Sequence, residues 1–136
     1  MDCSIAAALG LPDEQSQVAE AFLIAMPASE IWVPSLWWHE IGNVIASAKR
    51  RKRITDNDTT GLVQLYGELP LHTDTAHGDQ FVERVLRLTT SFDLSAYDAA
   101  YLELAERKRA GLATLDKRLR EAAADSGVEV FLESRR

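Results

Sequence analysis

Four acidic residues, widely separated in the sequence, stand in contexts that could bring their carboxylates into one site. The contexts are Asp-x-Ser before an apolar run, Glu-x-x-Asn within a helix, Ser-x-x-Asp opening a helix, and Thr-x-Asp at a strand end. The four acids are Asp2, Glu40, Asp98 and Asp116. Mg²⁺ prefers oxygen ligands and retains several waters, so a few carboxylates suffice to bind it. Clustered carboxylates also raise one another's pKa without a cation, so such a cluster favours metal binding.

Three of these acids also have a purely structural interpretation. Asp116 directly follows a predicted strand and precedes a helix, where aspartate is a common N-cap because its carboxylate accepts free N–H groups of the first turn. Asp98 has the capping-box spacing from Ser95, and Asp2 could cap a helix or belong to a loose terminus. Taken singly, each structural interpretation is favoured, so the case for a site depends on the four acids together.

Glu40 is more informative because of its position on a predicted helix. At about 100° per residue, Glu40, Asn43 and Ser47 form a polar stripe beside an apolar arc. The arc consists of Trp37, Ile41, Val44, Ile45 and Ala48. A glutamate beside a buried face is costly unless it is paired or metal-bound. A boundary glutamate whose head reaches water is an equally good interpretation.

Composition limits the class of protein without deciding its function. Lys plus Arg number 15 and Asp plus Glu 21, giving a net charge of −6, which disfavours nucleic-acid binding through net charge alone. Bound metal ions reverse the sign of the local charge, so a metal-dependent nuclease is not excluded.

Cys3 is the only cysteine, which rules out an internal disulfide and a cysteine zinc cluster. No apolar run reaches about 20 residues and no basic secretory region opens the chain, so we expect a cytoplasmic protein without a membrane segment.

The elements that must position the acids alternate between helices and short strands. The length of 136 residues predicts one domain. Periodicity predicts helices at residues 14–26, 36–52, 55–69, 76–88, 95–109 and 117–125, the last two stopped by Gly111 and Gly127. Strands are predicted at 30–33, 111–115 and 128–132, with a short extended piece at 70–73. This order predicts an α/β fold with a mainly parallel sheet, in which ligands lie beyond the carboxyl ends of the strands.

Two longer segments complete a pattern that resembles a known family. They are FDLSAYDAAYLELA at 92–105 and LATLDKRL at 112–119, together with Asp2-Cys3-Ser4 and Glu40-Ile41-Gly42-Asn43. With these segments, nearly the whole chain resembles the VapC-like PIN-domain toxins. By that resemblance, the four acids would hold one or two Mg²⁺ or Mn²⁺ ions. Ser4, Asn43 and Thr114 would orient the ligands or the substrate.

The resemblance also implies a fold, an activity and partners. The fold would be a three-layer α/β/α sandwich with a short, mainly parallel central sheet, as a single PIN domain over residues 1–136. The activity would be metal-dependent hydrolysis of RNA phosphodiester bonds by the toxin of a type II toxin–antitoxin pair. The partners would be a cognate antitoxin and a second copy in a homodimer. One departure stands out: family members place a hydrophobic strand in the middle of the sheet before the first Asp, whereas here only Met1 precedes Asp2. That strand is therefore expected to be missing or truncated.

A dense basic run follows the predicted helix that carries Glu40. It consists of Lys49, Arg50, Arg51, Lys52 and Arg53. These charges could simply complement the helix macrodipole. Contact with an RNA backbone or with an acidic segment of an antitoxin is slightly favoured, because five consecutive positive charges repel one another.

Other functions remain open at this point. A PIN nuclease of RNA maturation or decay would need no antitoxin. A catalytically inactive PIN-like binding module is supported by the missing first strand and opposed by the retention of all four acids. An aspartyl-phosphate phosphatase or receiver domain is disfavoured, because Ser4 stands where the phosphatase pattern has a second acid.

Overall fold

The helices and strands of the chain follow the predicted α/β alternation. The computed structural model describes residues 1–14 and 16–131. In these residues the elements are α1 (Cys3–Gly10), α2 (Gln17–Ala25), a 3₁₀ turn (Met26–Ala28), β1 (Ile31–Pro34), α3 (Leu36–Arg50), α4 (Asp56–Glu68), β2 (Leu71–Asp74), α5 (Asp79–Phe92), α6 (Ala96–Lys108) and α7 (Lys117–Asp125).

The sheet is parallel but shorter than predicted. β1 pairs with β2 from Ile31 opposite Leu71 to Pro34 opposite Asp74. The strands predicted at 111–115 and 128–132 contribute one parallel bridge, between Leu112 and Val130; Leu132, at the end of the second, lies outside the described residues. Two backbone bonds form this bridge, from Leu112 N to Glu129 O (2.8 Å) and from Phe131 N to Leu112 O (2.9 Å). The strand predicted at 111–115 was therefore too long, and so was the described part of the one at 128–132, although the parallel direction is confirmed.

The first two residues of the chain lie between β1 and the Leu112 segment. The Met1 amino group donates to Trp32 O (3.4 Å), and Asp2 N donates to Ala113 O (3.0 Å). Beside them a cavity of about 200 Å³ opens between the two backbone edges, with Leu104 and Phe131 among its lining residues. In the position where the resemblance implies a first strand, the structure therefore has Met1, Asp2 and this cavity.

The core forms around α6 and the apolar faces of the helices near it. Seven consecutive residues of α6, from Ala99 to Ala105, are buried, so this helix contacts neighbours on nearly every side. α3 buries Trp37, Ile41, Ile45 and Ala48, which confirms the predicted apolar arc, with Val44 partly buried at its edge. Because the arc faces the core, the polar stripe carrying Glu40 is held at the border of the buried region.

The helix ends show where local sequence signals were sufficient to predict a helix boundary and where they were not. The capping box at α4 forms as predicted: Asp58 N donates to Thr55 Oγ1 (3.1 Å) and Thr55 N donates to Asp58 Oδ2 (2.8 Å). α6 ends before Gly111, since Arg109 takes the left-handed conformation at φ 52° and its N–H bonds the Ala105 and Glu106 carbonyls. Gly111 instead allows a close approach of two backbones, because a Cβ there would lie 3.2 Å from Glu129 O, a tight contact.

The end of α5 also differs from the prediction. The helix was expected to finish near residue 88 but continues to Phe92, where Asp93 leaves it at φ 52°. The extra turn brings the partly buried Phe92 against the core, and such tertiary contact overrides the weak helix propensity of Thr89 and Thr90.

A buried ion network joins α5, α6 and the end of β2. Glu103 on α6 is 2% exposed and accepts from Arg84 Nε (3.0 Å) and Arg107 Nε (2.7 Å). Arg107 also binds both carboxylate oxygens of Asp74, at 2.9 and 2.7 Å. These bonds satisfy the buried Glu103 carboxylate, which would otherwise be costly to bury.

Candidate active site

Asp2 is fixed by hydrogen bonds to both of its carboxylate oxygens. It is buried and caps α1, where Oδ1 accepts from Ser4 N (3.1 Å), Ser4 Oγ (2.5 Å) and Ile5 N (3.4 Å). Its Oδ2 accepts a short hydrogen bond from Thr114 Oγ1. The helix cap and the predicted partners Ser4 and Thr114 therefore occur together, and they hold this carboxylate in one orientation.

Asp116 lies close to the same hydroxyl. It caps α7, with Oδ1 accepting from Leu119 N (2.9 Å), so the structural interpretation of this residue is correct. Its own N–H donates to Thr114 Oγ1 (3.0 Å). Ser4 Oγ further accepts from Leu115 N (2.8 Å). The segment 114–116 is thereby attached to the N-terminus of α1, more than a hundred residues away in the chain.

Glu40 sits half-buried on α3 and is bonded by a residue that sequence reasoning missed. Tyr101, buried on α6, donates its phenol hydroxyl to Glu40 Oε1 at 2.7 Å. Burial is the main reason that the pKa of Glu40 is raised, and the charges of Asp2 and Asp98 raise it further. The Tyr101 hydrogen bond acts in the opposite direction by stabilising the ionised carboxylate.

Asp98 lies in the first turn of α6, partly buried. Its backbone N–H donates to Ser95 Oγ (3.1 Å), the first half of the predicted capping box. The reciprocal bond, from Ser95 N to the Asp98 carboxylate, is not found between these two described residues, unlike at Thr55 and Asp58. Burial and then the charge of Asp116 raise the pKa of Asp98, with a smaller contribution from Asp2; the Ser95 hydroxyl and Arg118 oppose the shift.

The structure brings the four acids within electrostatic reach of one another. Glu40 is acted on by Asp2 and Asp98, and Asp98 by Asp116 and Asp2. Three of the four stand at helix N-termini, whose partial positive charge favours carboxylates. The pKa values of Glu40 and Asp98 are raised first by burial and then by the neighbouring carboxylates, as expected for acids that lie near one another in a partly buried place.

The donor chemistry of this cluster fits a hard divalent cation. All four side chains offer oxygen, and Mg²⁺ or Mn²⁺ binds through a few carboxylates while keeping several waters. Among residues 1–14 and 16–131, no group of three or more His, Cys, Asp or Glu side chains is arranged to hold a metal ion. An ion at this cluster would be held by one or two of the acids, with water completing its shell.

The remaining predicted site residues are placed less distinctively. Asn43 is exposed one turn after Glu40. In the basic run, Arg53 is bound to Asp13 (2.7 Å) and Glu14 (3.1 Å), and Lys49 pairs with Asp56 (3.0 Å). Two of its five charges are thus neutralised within the chain. The described residues contain no ion pair between this run and the four acids.

Two functional contacts could not be read from the predicted motifs. Tyr101 follows Asp98 by three residues, which puts both on one side of α6, and this spacing is the signal that could have pointed to it. Arg118 Nη2 bonds the Asp93 carbonyl and carboxylate (2.5 and 3.1 Å), and its charge lowers the pKa of Asp98. The partner of each lies on another element, so helix periodicity alone does not reveal the contact.

Comparison with known proteins identifies the family. Residues 1–125 match the PIN domain. The chain belongs to the PIN-domain family. This PIN domain is also similar to ribonuclease VapC3 of Pyrobaculum aerophilum, with 27% identity over 121 residues that cover 89% of this chain and 91% of that protein.

The family match confirms the predicted fold class, the α/β/α sandwich with a short parallel sheet. All four acids of the PIN domain lie within the matched residues. Within the described part of the chain, no helix is both long enough and apolar enough to span a bilayer.

Proposed function

We propose that this PIN domain is a metal-dependent endoribonuclease that acts as the toxin of a type II toxin–antitoxin pair. The observation that carries the proposal is the convergence of Asp2, Glu40, Asp98 and Asp116, with raised pKa values at Glu40 and Asp98. Membership of the PIN family and the similarity to a ribonuclease support the reaction class.

The cation would be Mg²⁺ or Mn²⁺, held by Asp98 and Asp2, with Glu40 and Asp116 assisting directly or through water. A cation held there would supply Lewis-acid chemistry, making a water molecule more acidic and offsetting the charge that develops on the phosphate. The chain's own residues supply orientation. Ser4 and Thr114 fix the Asp2 carboxylate, and the first turn of α7 fixes that of Asp116. No covalent nucleophile is required.

The partners follow from the same proposal. RNA is the substrate, a cognate antitoxin blocks the acidic site, the toxin forms a homodimer, and the pair works in the cytoplasm. Arg50, Arg51 and Lys52 are the charges of the basic run that would contact an RNA backbone or an acidic antitoxin segment, since Lys49 and Arg53 are paired within the chain. Asn43, exposed beside Glu40, would contact the substrate.

The decisive test is cleavage of a structured RNA in Mg²⁺ or Mn²⁺, comparing the native protein with Asp98→Asn. We expect Asp98→Asn to abolish cleavage, because it removes a charge that the cation requires. Asp79→Asn is the matched control: it changes an exposed aspartate in the first turn of α5, outside the acidic cluster, and should cleave normally.

Two results would contradict the proposal: full activity of Asp98→Asn, or undiminished cleavage in excess chelator. RNA that is retained but never cut would instead favour the inactive binding module. Cleavage by a protein that has no antitoxin partner would favour a nuclease of RNA maturation or decay.

A further inference from the structure

The hydroxyl of Tyr101 is a polar group that the motif residues do not provide. The tyrosine ring is 3% exposed and lies in the core, while its oxygen donates to Glu40 Oε1 at 2.7 Å. The two residues are 61 positions apart and belong to different helices, α6 and α3. The bond therefore links the helix that carries Asp98 to the helix that carries Glu40.

The geometry restricts where the Glu40 carboxylate can go. Tyr101 follows Asp98 by one helical turn on α6, and its ring is held by core packing, so the hydroxyl is a fixed point from which Glu40 is held. A carboxylate has about four lone-pair positions, and one bond to Tyr101 leaves the others for a cation. Without this bond, repulsion by Asp2 and Asp98 would favour a Glu40 rotamer directed towards water.

We propose that Tyr101 is a positioning residue, whose hydroxyl holds the Glu40 carboxylate in the orientation that meets a divalent cation shared with Asp98. The inference rests on the proposed function, since it assumes that the four acids bind a cation. Tyr101 itself touches neither the cation nor the RNA; it acts through Glu40.

The test measures binding of Mn²⁺ alone, from the electron paramagnetic resonance signal of the free ion, without RNA. Tyr101→Phe keeps the ring and removes one oxygen. We expect it to weaken Mn²⁺ binding about 10-fold, the lower end of the effect of removing a partner that orients a metal ligand. In a Glu40→Gln background the same change should have almost no further effect, because the residue through which Tyr101 acts has already lost its charge.

Tyr66→Phe is the matched control. Tyr66 is 2% exposed and donates its hydroxyl to Ala6 O at 2.7 Å, so its loss also removes a buried tyrosine hydrogen bond, but one outside the acidic cluster. Tyr66→Phe should lower thermal stability and leave Mn²⁺ affinity unchanged. A purely structural role of Tyr101 would make the two variants behave alike.

The outcomes separate the inference from the proposed function. Wild-type protein that binds no Mn²⁺ would overturn both. Wild-type protein that binds Mn²⁺, together with a folded Tyr101→Phe that binds it equally well or that loses the same factor in the Glu40→Gln background, would overturn the inference alone. Should Tyr101→Phe fail to fold, Glu40→Asp is the second variant, because its shorter side chain keeps the carboxylate out of reach of the Tyr101 hydroxyl. It should weaken Mn²⁺ binding similarly. Wild-type Mn²⁺ affinity in Glu40→Asp would refute the positioning role.

Discussion

At the scale of single residues, the Thr114 hydroxyl connects two of the four acids. It is fully buried, donates to Asp2 Oδ2 and accepts from Asp116 N at 3.0 Å. One oxygen therefore sets the orientation of the Asp2 carboxylate and the start of α7. A residue of this kind affects a site strongly without being a ligand.

We predict that Thr114→Val lowers the cleavage rate about 10- to 100-fold while the protein stays folded. Valine keeps the shape of threonine but leaves Asp2 and the Asp116 N–H short of one partner each, which costs about 1–3 kcal/mol of unfolding free energy. Steady-state cleavage kinetics and urea unfolding measure the two effects. Thr89→Val removes an exposed hydroxyl bond to the Leu86 carbonyl on α5, outside the acidic cluster, and should change neither quantity appreciably. Normal cleavage by Thr114→Val would show that the hydroxyl does not orient the site.

The residues of the site were predictable to different degrees. The four acids, Ser4 and Thr114 stand in short motifs; in the structure Ser4 and Thr114 bond Asp2, and the charges of Asp2 and Asp116 act on Asp98. Their role as metal ligands stays a prediction. Tyr101 escaped prediction because its partner Glu40 is 61 positions away, and only the packing of α6 against its neighbours puts the two side chains in contact.

At the scale of elements, the Asp74–Arg107–Glu103–Arg84 network ties the end of β2 to α5 and α6. We predict that Arg107→Met lowers the unfolding free energy by about 3 kcal/mol, because it leaves Glu103 buried with one partner instead of two. Arg87→Met breaks an exposed pair with Glu106 and should cost less than about 1 kcal/mol. Equal losses in the two variants, measured by urea unfolding, would argue against a structural role for the network.

The same network makes stability depend on pH in a defined direction. Hydrogen bonds from Arg107 are the main cause of the lowered pKa of Asp74, so the folded state binds this proton less tightly than the unfolded chain, whose pKa is near 3.8. The contribution of Asp74 is therefore complete above that value and is lost as the pH falls through the lower folded pKa. We expect the stability difference between the native protein and Asp74→Asn to be constant near neutral pH and to shrink below about pH 4. A difference that persisted unchanged at pH 2 would contradict this assignment.

Element boundaries were predictable where the deciding contacts are local. The α4 capping box and β1 were predicted from neighbouring residues, and the structure confirms both. The strand at 111–115 was predicted from a run of apolar residues, but a strand also needs a partner along its length. Among the described residues, Asp2 supplies one backbone bond on one side, to Ala113, and Val130 forms one bridge with Leu112 on the other, so no ladder develops along the segment.

At the scale of the whole molecule, the acidic cluster should make folding depend on the cation. A cation that binds the folded state alone stabilises it by about 2.7 kcal/mol at a concentration 100 times its Kd. We therefore predict that Mn²⁺ raises the melting temperature of the native protein and that chelator reverses the shift. Asp98→Asn should show no shift, while Asp79→Asn should behave like the native protein. NaCl at matched ionic strength controls for general screening, and an equal rise in NaCl would rule out specific binding.

The fold class was the most predictable feature: the alternation of helices and short strands indicated an α/β fold with a mainly parallel sheet, and the resemblance implied the sandwich. The middle of the sheet was not predictable in the same way. The resemblance pointed to a strand before Asp2, but the arrangement of Met1, Asp2 and the adjoining cavity depends on backbone bonds from two separate segments.

That arrangement makes one short stretch of backbone a mechanical link. Met1 bonds the Trp32 carbonyl on one side and Asp2 N bonds the Ala113 carbonyl on the other, so a shift of either edge is passed on to the Asp2 carboxylate. A substitution that displaces β1 should therefore disturb the acidic cluster without changing any of its acids.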